Sequence, residues 1–155
     1  MIELHDFQPG DAPALRAVFE SAIRGTARRD HSQLQVDTWA PREHDAAAWA
    51  ARMQGLRPFV AWVDGAIAGY ADLQPGGRID HCYVAESAGG QGVGGALMRR
   101  ILARAEELGL AELTSHVSLT AQPFFARFGF EVVEHRVFDL RGVEMRNAAM
   151  RKTLR

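Results

Sequence analysis

The chain has 155 residues, a formal net charge of −1 and a single cysteine. We expect one domain over residues 1–155, with a core large enough to fold without a disulfide or a metal ion. The near-neutral charge argues against nucleic acid or an anionic membrane as a partner, and the lone cysteine excludes an internal disulfide.

The N-terminal stretch MIELHDFQPGD contains acidic residues and no apolar run, so it does not have the pattern of a secretory signal. No segment approaches the ~20 apolar residues that a membrane-spanning helix needs. Together with the cysteine count, which suits a reducing compartment, this predicts a soluble cytoplasmic protein.

The first third of the chain predicts a strand followed by helices. An alternating apolar pattern begins at Ile2 and predicts a short strand. Asp11 can cap a helix over residues 12–24, which carries an apolar stripe. Two shorter helices are expected at about 32–39 and 44–53, separated by a proline.

The middle of the chain predicts antiparallel strands and a long helix. The segment PFVAWVDGAIAGYADL contains two apolar runs joined by Asp64 and Gly65, a dipeptide typical of a hairpin turn. A third antiparallel strand is expected over residues 78–84. An amphipathic helix follows over about 92–108, and Gly109 can end it.

The last third predicts a strand at 112–117, a helix in TAQPFFARF that ends at Gly129, and two strands joined by a turn at Arg141 and Gly142. This order of elements predicts an α/β protein with a mixed, mostly antiparallel central sheet flanked by helices.

A glycine-rich loop lies directly before the long predicted helix. The first N–H groups of a helix have no partner within the helix, and the helix dipole places partial positive charge there. Glycines at that position let an anion approach the backbone, so the segment predicts a pyrophosphate site, although a passive connecting loop is the alternative. Its residues are Gly89, Gly90, Gln91, Gly92, Val93, Gly94, Gly95 and Ala96.

Other phosphate-binding loops fit this segment less well. The P-loop ends in Gly-Lys-Ser/Thr, whereas this loop ends in Gly95 and Ala96. A dinucleotide fingerprint matches Gly90, Gly92 and Gly95, but that motif follows a parallel strand directly, and here AESAG intervenes. A nucleotide-dependent oxidoreductase is therefore a weak alternative.

Two blocks of the sequence resemble the GNAT N-acetyltransferase superfamily: CYVAESAGGQGVGGALM and SLTAQPFFARFGF. The resemblance covers about residues 58–135 and implies the acyl-CoA N-acyltransferase fold. It implies direct transfer of an acetyl group from acetyl-CoA to a primary amine of a small molecule, peptide or protein. One departure is Gly89, where the motif has Gln or Arg; Gln91 can substitute for that side chain.

The resemblance also implies roles for the strand before the loop. The backbone N–H of Val84 would stabilise the oxyanion, and Cys82 and Tyr83 would flank the pantetheine arm along a free strand edge. A nucleophilic Cys82 is disfavoured, because it lies within a strand and lacks a Cys-His-Asn pattern.

An amine with a pKa near ~10.4 must lose a proton before it attacks, so the site requires a base. Superfamily members often carry a carboxylate on this strand, and Asp80 is the first candidate. Alternation would place Asp80 on the face of Cys82 and Val84, and His81, the second candidate, on the opposite face. A structural role for Asp80, binding a turn or an arginine, stays open.

The general acid is not identified by the resemblance. The family commonly has a tyrosine where this chain has Phe125, which cannot donate a proton. Water or a hydroxyl of Tyr83, Tyr70 or Ser118 would take that role. Phe124 and Phe125 are expected to pack against the cofactor or in the core. The missing tyrosine leaves a non-catalytic acyl-CoA sensor open as an alternative.

The N-terminal helices of this superfamily usually wall the acceptor pocket. Asp30, His31 and Trp39 could therefore recognise a cationic substrate, or they could form a capped helix start with an anchoring tryptophan. Arg99 and Arg100 could contact coenzyme phosphates or form a solvated helix face. The scattered histidines predict no metal site, and the superfamily suggests a homodimer.

Overall fold

The structure, a computed structural model, describes residues 1–155. Its strands are β1 (Ile2–Asp6), β2 (Phe59–Val63), β3 (Ala66–Ala71), β4 (Arg78–Ile79), β5 (Cys82–Val84), β6 (Glu112–Ser118), β7 (Glu131–Leu140) and β8 (Val143–Thr153). Its α-helices are α1 (Ala12–Ser21), α2 (Gln33–Trp39), α3 (Ala46–Leu56), α4 (Val93–Glu107) and α5 (Gln122–Arg127). No helix combines the length and the apolar character needed to cross a membrane.

The strands form two four-stranded sheets, in the orders β1-β2-β3-β5 and β4-β6-β8-β7. Every pairing is antiparallel except that of β4 with β6. The hydrophobic core has two parts, one on each face of β2. Val60 packs with α1 and α3 on one face, and the next residue, Ala61, packs with α4 on the other. The predicted α/β fold, with a mixed and mostly antiparallel sheet flanked by helices, is confirmed.

Local sequence signals explain the elements beside the sheets. In the β2–β3 turn, Asp64 and Gly65 both adopt left-handed backbone angles, with φ of 50° and 83°, which match the twist of a tight hairpin. Helix α4 buries Val93, Leu97 and Ile101 at spacings of four residues, so one face of the helix meets the sheet. The predicted hairpin and long helix are therefore confirmed.

The first predicted helix, over 12–24, ends earlier than expected as a regular α-helix. After Ser21 the chain widens into a π-helical turn at Ala22–Thr26. A Cβ at Gly25 would lie 2.5 Å from the carboxyl carbon of Glu86, so the end of this exposed side chain lies directly over the glycine. The Glu86 amide also donates to Ser21 Oγ at 2.9 Å, which ties this turn to the chain after β5.

The prediction of one strand over 78–84 is wrong. Residues 78–79 form β4, which pairs in parallel with β6, and residues 82–84 form β5, which pairs with β3 in the other sheet. Asp80 and His81 belong to neither strand. The predicted alternation of faces fails at this break, because Ile79 packs with α4 while the His81 ring packs against Phe19 of α1.

The side chain of Asp72 explains the break. Its carboxylate accepts the N–H of Asp80 at 3.0 Å and the N–H of His81 at 2.5 Å, so these amides bond to a side chain in place of a neighbouring strand. Gln74 Nε2 donates to the same carboxylate at 2.7 Å. Burial raises the pKa of Asp72, which is fully enclosed. Three donors offset the cost of enclosing this polar group.

The break leaves an open edge between the two sheets. Hydrogen bonds from Asp72 N to His81 O and from Ala85 N to Ala68 O connect this segment to the β3 side. Because N–H groups alternate in direction along a strand, those of Cys82 and Val84 point to the opposite, unpaired edge. On the other side of the opening, β4 pairs with β6 only at Thr114 and Ser115, so the edge of residues 116–118 that faces the opening is unpaired as well.

We predict that Asp72→Ala destabilises the protein by about 2–4 kcal/mol, because two enclosed backbone amides would lose their acceptor. Asp6→Ala is the matched control, since Asp6 is exposed at the end of β1, and its effect should stay within about 0.5 kcal/mol. Urea unfolding of the three proteins measures both values. Equal stability of the two variants would contradict the assigned role of Asp72.

Candidate active site

A cavity of about 400 Å³ lies at the opening between β5 and β6. Cys82 and Tyr83 border it on one side, and residues 115–118 border it on the other. This volume falls in the range of small-molecule sites, ~300–1,000 Å³. No residue from 84 to 114 lines the cavity, so the glycine-rich loop forms a separate feature beside it.

The backbone N–H groups of residues 90–95 donate to no acceptor within the protein. Gly90 and Gly92 adopt left-handed backbone angles, with φ of 77° and 85°, which favour glycine. The first amide of α4 that is bonded within the helix is that of Ala96, which donates to Gly92 O at 3.0 Å. Consecutive free amides at a helix N-terminus form a site suited to a phosphate group.

The remaining residues of the glycine loop and the C-terminal block border this N-terminus. Gly89 has an ordinary φ of −61°, and Gln91 is exposed, with its side-chain amide 3.4 Å from Ser87 O. A Cβ at Gly94 would lie 3.1 Å from the ring of Phe124. The bare backbone of Gly94 therefore allows Phe124 to pack directly against the first turn of α4.

Asp80 and His81 both line the cavity, although strand alternation had separated them. The Asp80 carboxylate is partly exposed and lies 3.6 Å from the guanidinium of Arg78. The His81 ring is buried, and its Nδ1 lies 3.0 Å from the hydroxyl of Tyr70. The break at residues 80–81 is the reason that neighbouring residues reach one cavity.

Burial lowers the pKa of His81 to about 4, and the positive charge of Arg52 adds to this effect. The ring is therefore neutral at neutral pH. Its Nε2 has no protein partner and is accessible to solvent, because the one enclosed side-chain polar atom without a partner is Arg24 Nε. The Nε2 of a neutral imidazole can accept a proton, or donate a hydrogen bond, depending on the tautomer.

Of the candidate hydroxyls, Tyr83 and Ser118 line the cavity, whereas Tyr70 is enclosed and bonded to His81. Burial raises the pKa of Tyr83 above its usual value, so the phenol stays protonated and can donate a hydrogen bond, while it is a weaker acid than a free tyrosine. Burial also raises the pKa of the Cys82 thiol to about 12, which keeps it protonated and is consistent with a structural role. Phe125 is buried, lines the cavity and contacts Phe130, with ring centroids 5.0 Å apart.

The predicted acceptor residues separate into two groups. His31 and Trp39 line the cavity with their rings 5.2 Å apart. Asp30 does not line it, because its carboxylate accepts a hydrogen bond from Thr120 Oγ1 at 2.8 Å. Ser32 caps α2 by accepting the amide of Gln35 at 3.1 Å. The capped helix start is thus present, and Asp30 lies outside the cavity lining in contact with Thr120.

Sequence reasoning missed the arginines of this cavity and the role of Asp72. Arg136 projects into the cavity with Phe138 and Leu140, at the two-residue spacing of one strand face. That spacing is visible in the sequence, but nothing local to the strand indicates that this face borders a cavity.

The cavity-lining arginines are Arg52 of α3 and Arg136, Arg141 and Arg146 of the β7–β8 hairpin.

Comparison with known proteins places these features in context. The acetyltransferase (GNAT) domain family matches residues 27–154. The uncharacterized N-acetyltransferase YafP of Escherichia coli strain K12 is 30% identical over 154 residues, with 97% of this chain and 95% of that protein covered.

Solved structures show the same architecture. A GCN5-related N-acetyltransferase from Rhodopseudomonas palustris has a TM-score of 0.93 at 30% identity, over 98% of this chain and 95% of that one. The PaiA N-acetyltransferase from Thermoplasma acidophilum, solved in complex with coenzyme A, has a TM-score of 0.74 at 16% identity, over 99% of both chains. At 16% identity, the similarity to the PaiA structure shows a shared fold only.

We predict that His81 makes the protein less stable in acid. Below a pH of about 6.5 the unfolded chain protonates this histidine, whereas the folded protein keeps it neutral down to about 4. Between pH 7 and pH 4 the wild type should therefore lose up to ~3 kcal/mol more unfolding free energy than His81→Gln. Denaturant unfolding across this range measures the difference, with the exposed His135→Gln as control; parallel curves for wild type and His81→Gln would refute the prediction.

Proposed function

The chain belongs to the GNAT N-acetyltransferase family, and from this premise we propose that it transfers the acetyl group of acetyl-CoA to a primary amine bound in the cavity between β5 and β6. One observation carries the proposal. Unpartnered amides at the start of α4 follow closely after β5, whose outer edge is open. The chain therefore offers a phosphate site next to an extended edge that can bind the rest of the cofactor.

The free N–H groups of residues 90–95 are suited to hold the pyrophosphate of acetyl-CoA. The N–H of Cys82 and the carbonyl groups of Cys82 and Val84 on the open edge are suited to bind the pantetheine arm, as an added strand would be bound. In this proposal the thioester extends toward the cavity, and the Val84 N–H is suited to stabilise the oxyanion.

The acceptor amine must be neutral to attack the thioester carbonyl carbon, and Asp80 is the proposed proton acceptor. Its carboxylate lines the cavity and is accessible to water, so it can take the proton directly or through a water molecule. His81 is the alternative, because its neutral ring borders the same cavity. Both side chains reach the cavity because the strand is broken at residues 80–81, where Asp72 binds the backbone.

Attack would form the C–N bond and the tetrahedral oxyanion, whose collapse would break the C–S bond, and the sulfur would then take a proton. Tyr83 is the proposed donor, because its phenol is protonated and lines the cavity. Ser118 offers a second hydroxyl. The site therefore has candidate proton donors even though Phe125 stands where the family commonly has a tyrosine.

A valine at Gly92 tests the amide cradle. Gly92→Val should weaken acetyl-CoA binding about 100-fold or more, because a branched side chain at a left-handed position distorts the amides that hold phosphate. Gly142→Val is the matched control, since Gly142 has φ of 86° against 85° for Gly92 and lies in an open hairpin turn. Calorimetric titration with acetyl-CoA gives both affinities, and unchanged affinity in Gly92→Val would place the cofactor elsewhere.

Replacing the proposed base should reduce turnover while sparing the cofactor site. We expect Asp80→Asn to lower kcat about 100-fold or more and to alter its pH profile, with acetyl-CoA affinity unchanged. Asp64→Asn, in the exposed β2–β3 turn, is the control. Release of free coenzyme A thiol measures turnover.

Arg78→Gln separates this role from a structural one. If Asp80 served only to pair with Arg78, both variants would lose the same activity. Wild-type turnover of Asp80→Asn at every pH would remove Asp80 from the mechanism, and an absence of thiol release with any amine in the wild type would favour a non-catalytic acyl-CoA sensor.

A further inference from the structure

Positive side chains dominate the lining of the cavity. Four arginines border it, and Asp80 is the one acidic residue that does so. The whole chain has a net charge of −1, so this concentration of guanidinium groups is local to the cavity.

Three of these arginines have no acidic partner. No carboxylate lies within 4.0 Å of Arg52, Arg136 or Arg141, whereas Arg146 lies 3.4 Å from the exposed Glu144. The Asp80 carboxylate is itself near the guanidinium of Arg78, at 3.6 Å. The positive charge of the cavity is therefore not neutralised from within the protein.

Several arginines outside the cavity pair with carboxylates. Arg16 lies 3.0 Å from Glu20, Arg24 lies 2.8 Å from Asp37, and Arg104 lies 3.0 Å from Glu107. Arginine pairs readily with carboxylates, because its planar guanidinium matches their geometry. An unpaired set around one cavity is thus suited to an anionic group that arrives from solution.

Two of the unpaired guanidiniums are held in position by neutral partners. Arg136 Nη1 donates to Asn147 Oδ1 at 2.8 Å, and its guanidinium lies over the ring of Phe138, 5.2 Å from the centroid. Arg141 donates to the backbone oxygen of Thr38, which ties the β7–β8 turn to α2. These contacts orient the side chains and leave their charge available.

The titration of neighbouring groups is consistent with a positive field. Burial lowers the pKa of His116, and Arg136 lowers it further. Burial likewise lowers the pKa of His81, and the positive charge of Arg52 lowers it further. Each arginine therefore disfavours a second positive charge at the cavity wall.

We propose that the acceptor is a small molecule whose primary amine is accompanied by a carboxylate or phosphate group, and that Arg136, Arg52 and Arg141 bind this anionic group. The inference rests on the proposed acetyl transfer and specifies its substrate class. The volume of about 400 Å³ suits a compact amine. A polyamine would bring several positive charges to a wall of unpaired arginines, and such like charges repel.

The experiment compares acceptors that differ in charge and little in shape. Thiol release is measured with amino acids of several side-chain sizes, each beside its own carboxamide, and with phosphoethanolamine and putrescine. We expect kcat/KM for the anionic acceptors to exceed that of their neutral or cationic counterparts about tenfold or more. The amino acids and phosphoethanolamine separate a carboxylate from a phosphate as the bound group.

Variants assign the preference to the arginines. Arg136→Gln and Arg52→Gln should raise KM for anionic acceptors about tenfold, while KM for acetyl-CoA and turnover of the carboxamides stay unchanged. Arg104→Gln, on α4 and outside the cavity, should leave all of these values unchanged. Equal or better use of putrescine and the carboxamides by the wild type would overturn the inference, as would unaltered selectivity in both cavity variants.

A binding measurement keeps this result distinct from failure of the proposed reaction. The same acceptors are titrated calorimetrically into the coenzyme A-saturated protein. Binding of anionic amines that weakens in Arg136→Gln, without turnover, would contradict the acetyl transfer and support the anion site. Turnover or binding of cationic amines alone would support the amine site and refute the anionic acceptor, and binding of no anionic amine would refute it as well.

Discussion

The hydrogen bonds from the amides of Asp80 and His81 to the carboxylate of Asp72 determine the arrangement of the site. A strand that continued through these residues would pair on both edges and join the two sheets. The buried carboxylate takes the place of that pairing, and the chain crosses from one sheet to the other at this point. The same contact leaves the outer edge of β5 unpaired and brings consecutive side chains to one cavity.

The two halves of the site have opposite physical requirements. The start of α4 presents backbone amides without side chains in the way, so it binds negative charge through geometry that glycine permits. The cavity presents side chains drawn from distant parts of the chain, among them Arg52 and Arg136, and its chemistry depends on which groups the sheets bring together. The first half relies on backbone geometry that many phosphate sites use, and the second relies on the identity of individual side chains.

This difference explains what the sequence allowed to be predicted. The hairpin at Asp64–Gly65, the buried face of α4 and the glycine loop depend on neighbouring residues, and all lie where the pattern places them. The break at Asp80 depends on a carboxylate eight residues earlier, which no periodicity reveals. The four arginines of the cavity come from α3 and the β7–β8 hairpin. These elements are far apart in the sequence, so no local pattern indicates that they meet. Asp30, His31 and Trp39 suggested either a site for a cationic acceptor or a capped helix start, and the contact of Asp30 with Thr120 could not be read from the local pattern.

The account as a whole depends on the open edge of β5 and the free amides of α4 acting as one binding surface for acetyl-CoA. A crystal structure of the protein with the bound cofactor measures this directly. We expect pyrophosphate oxygens within hydrogen-bonding distance, ~2.7–3.2 Å, of the amides of residues 90–95, and the pantetheine arm bonded along Cys82 and Val84. A pyrophosphate bound away from those amides, or an arm that bypasses β5, would contradict it.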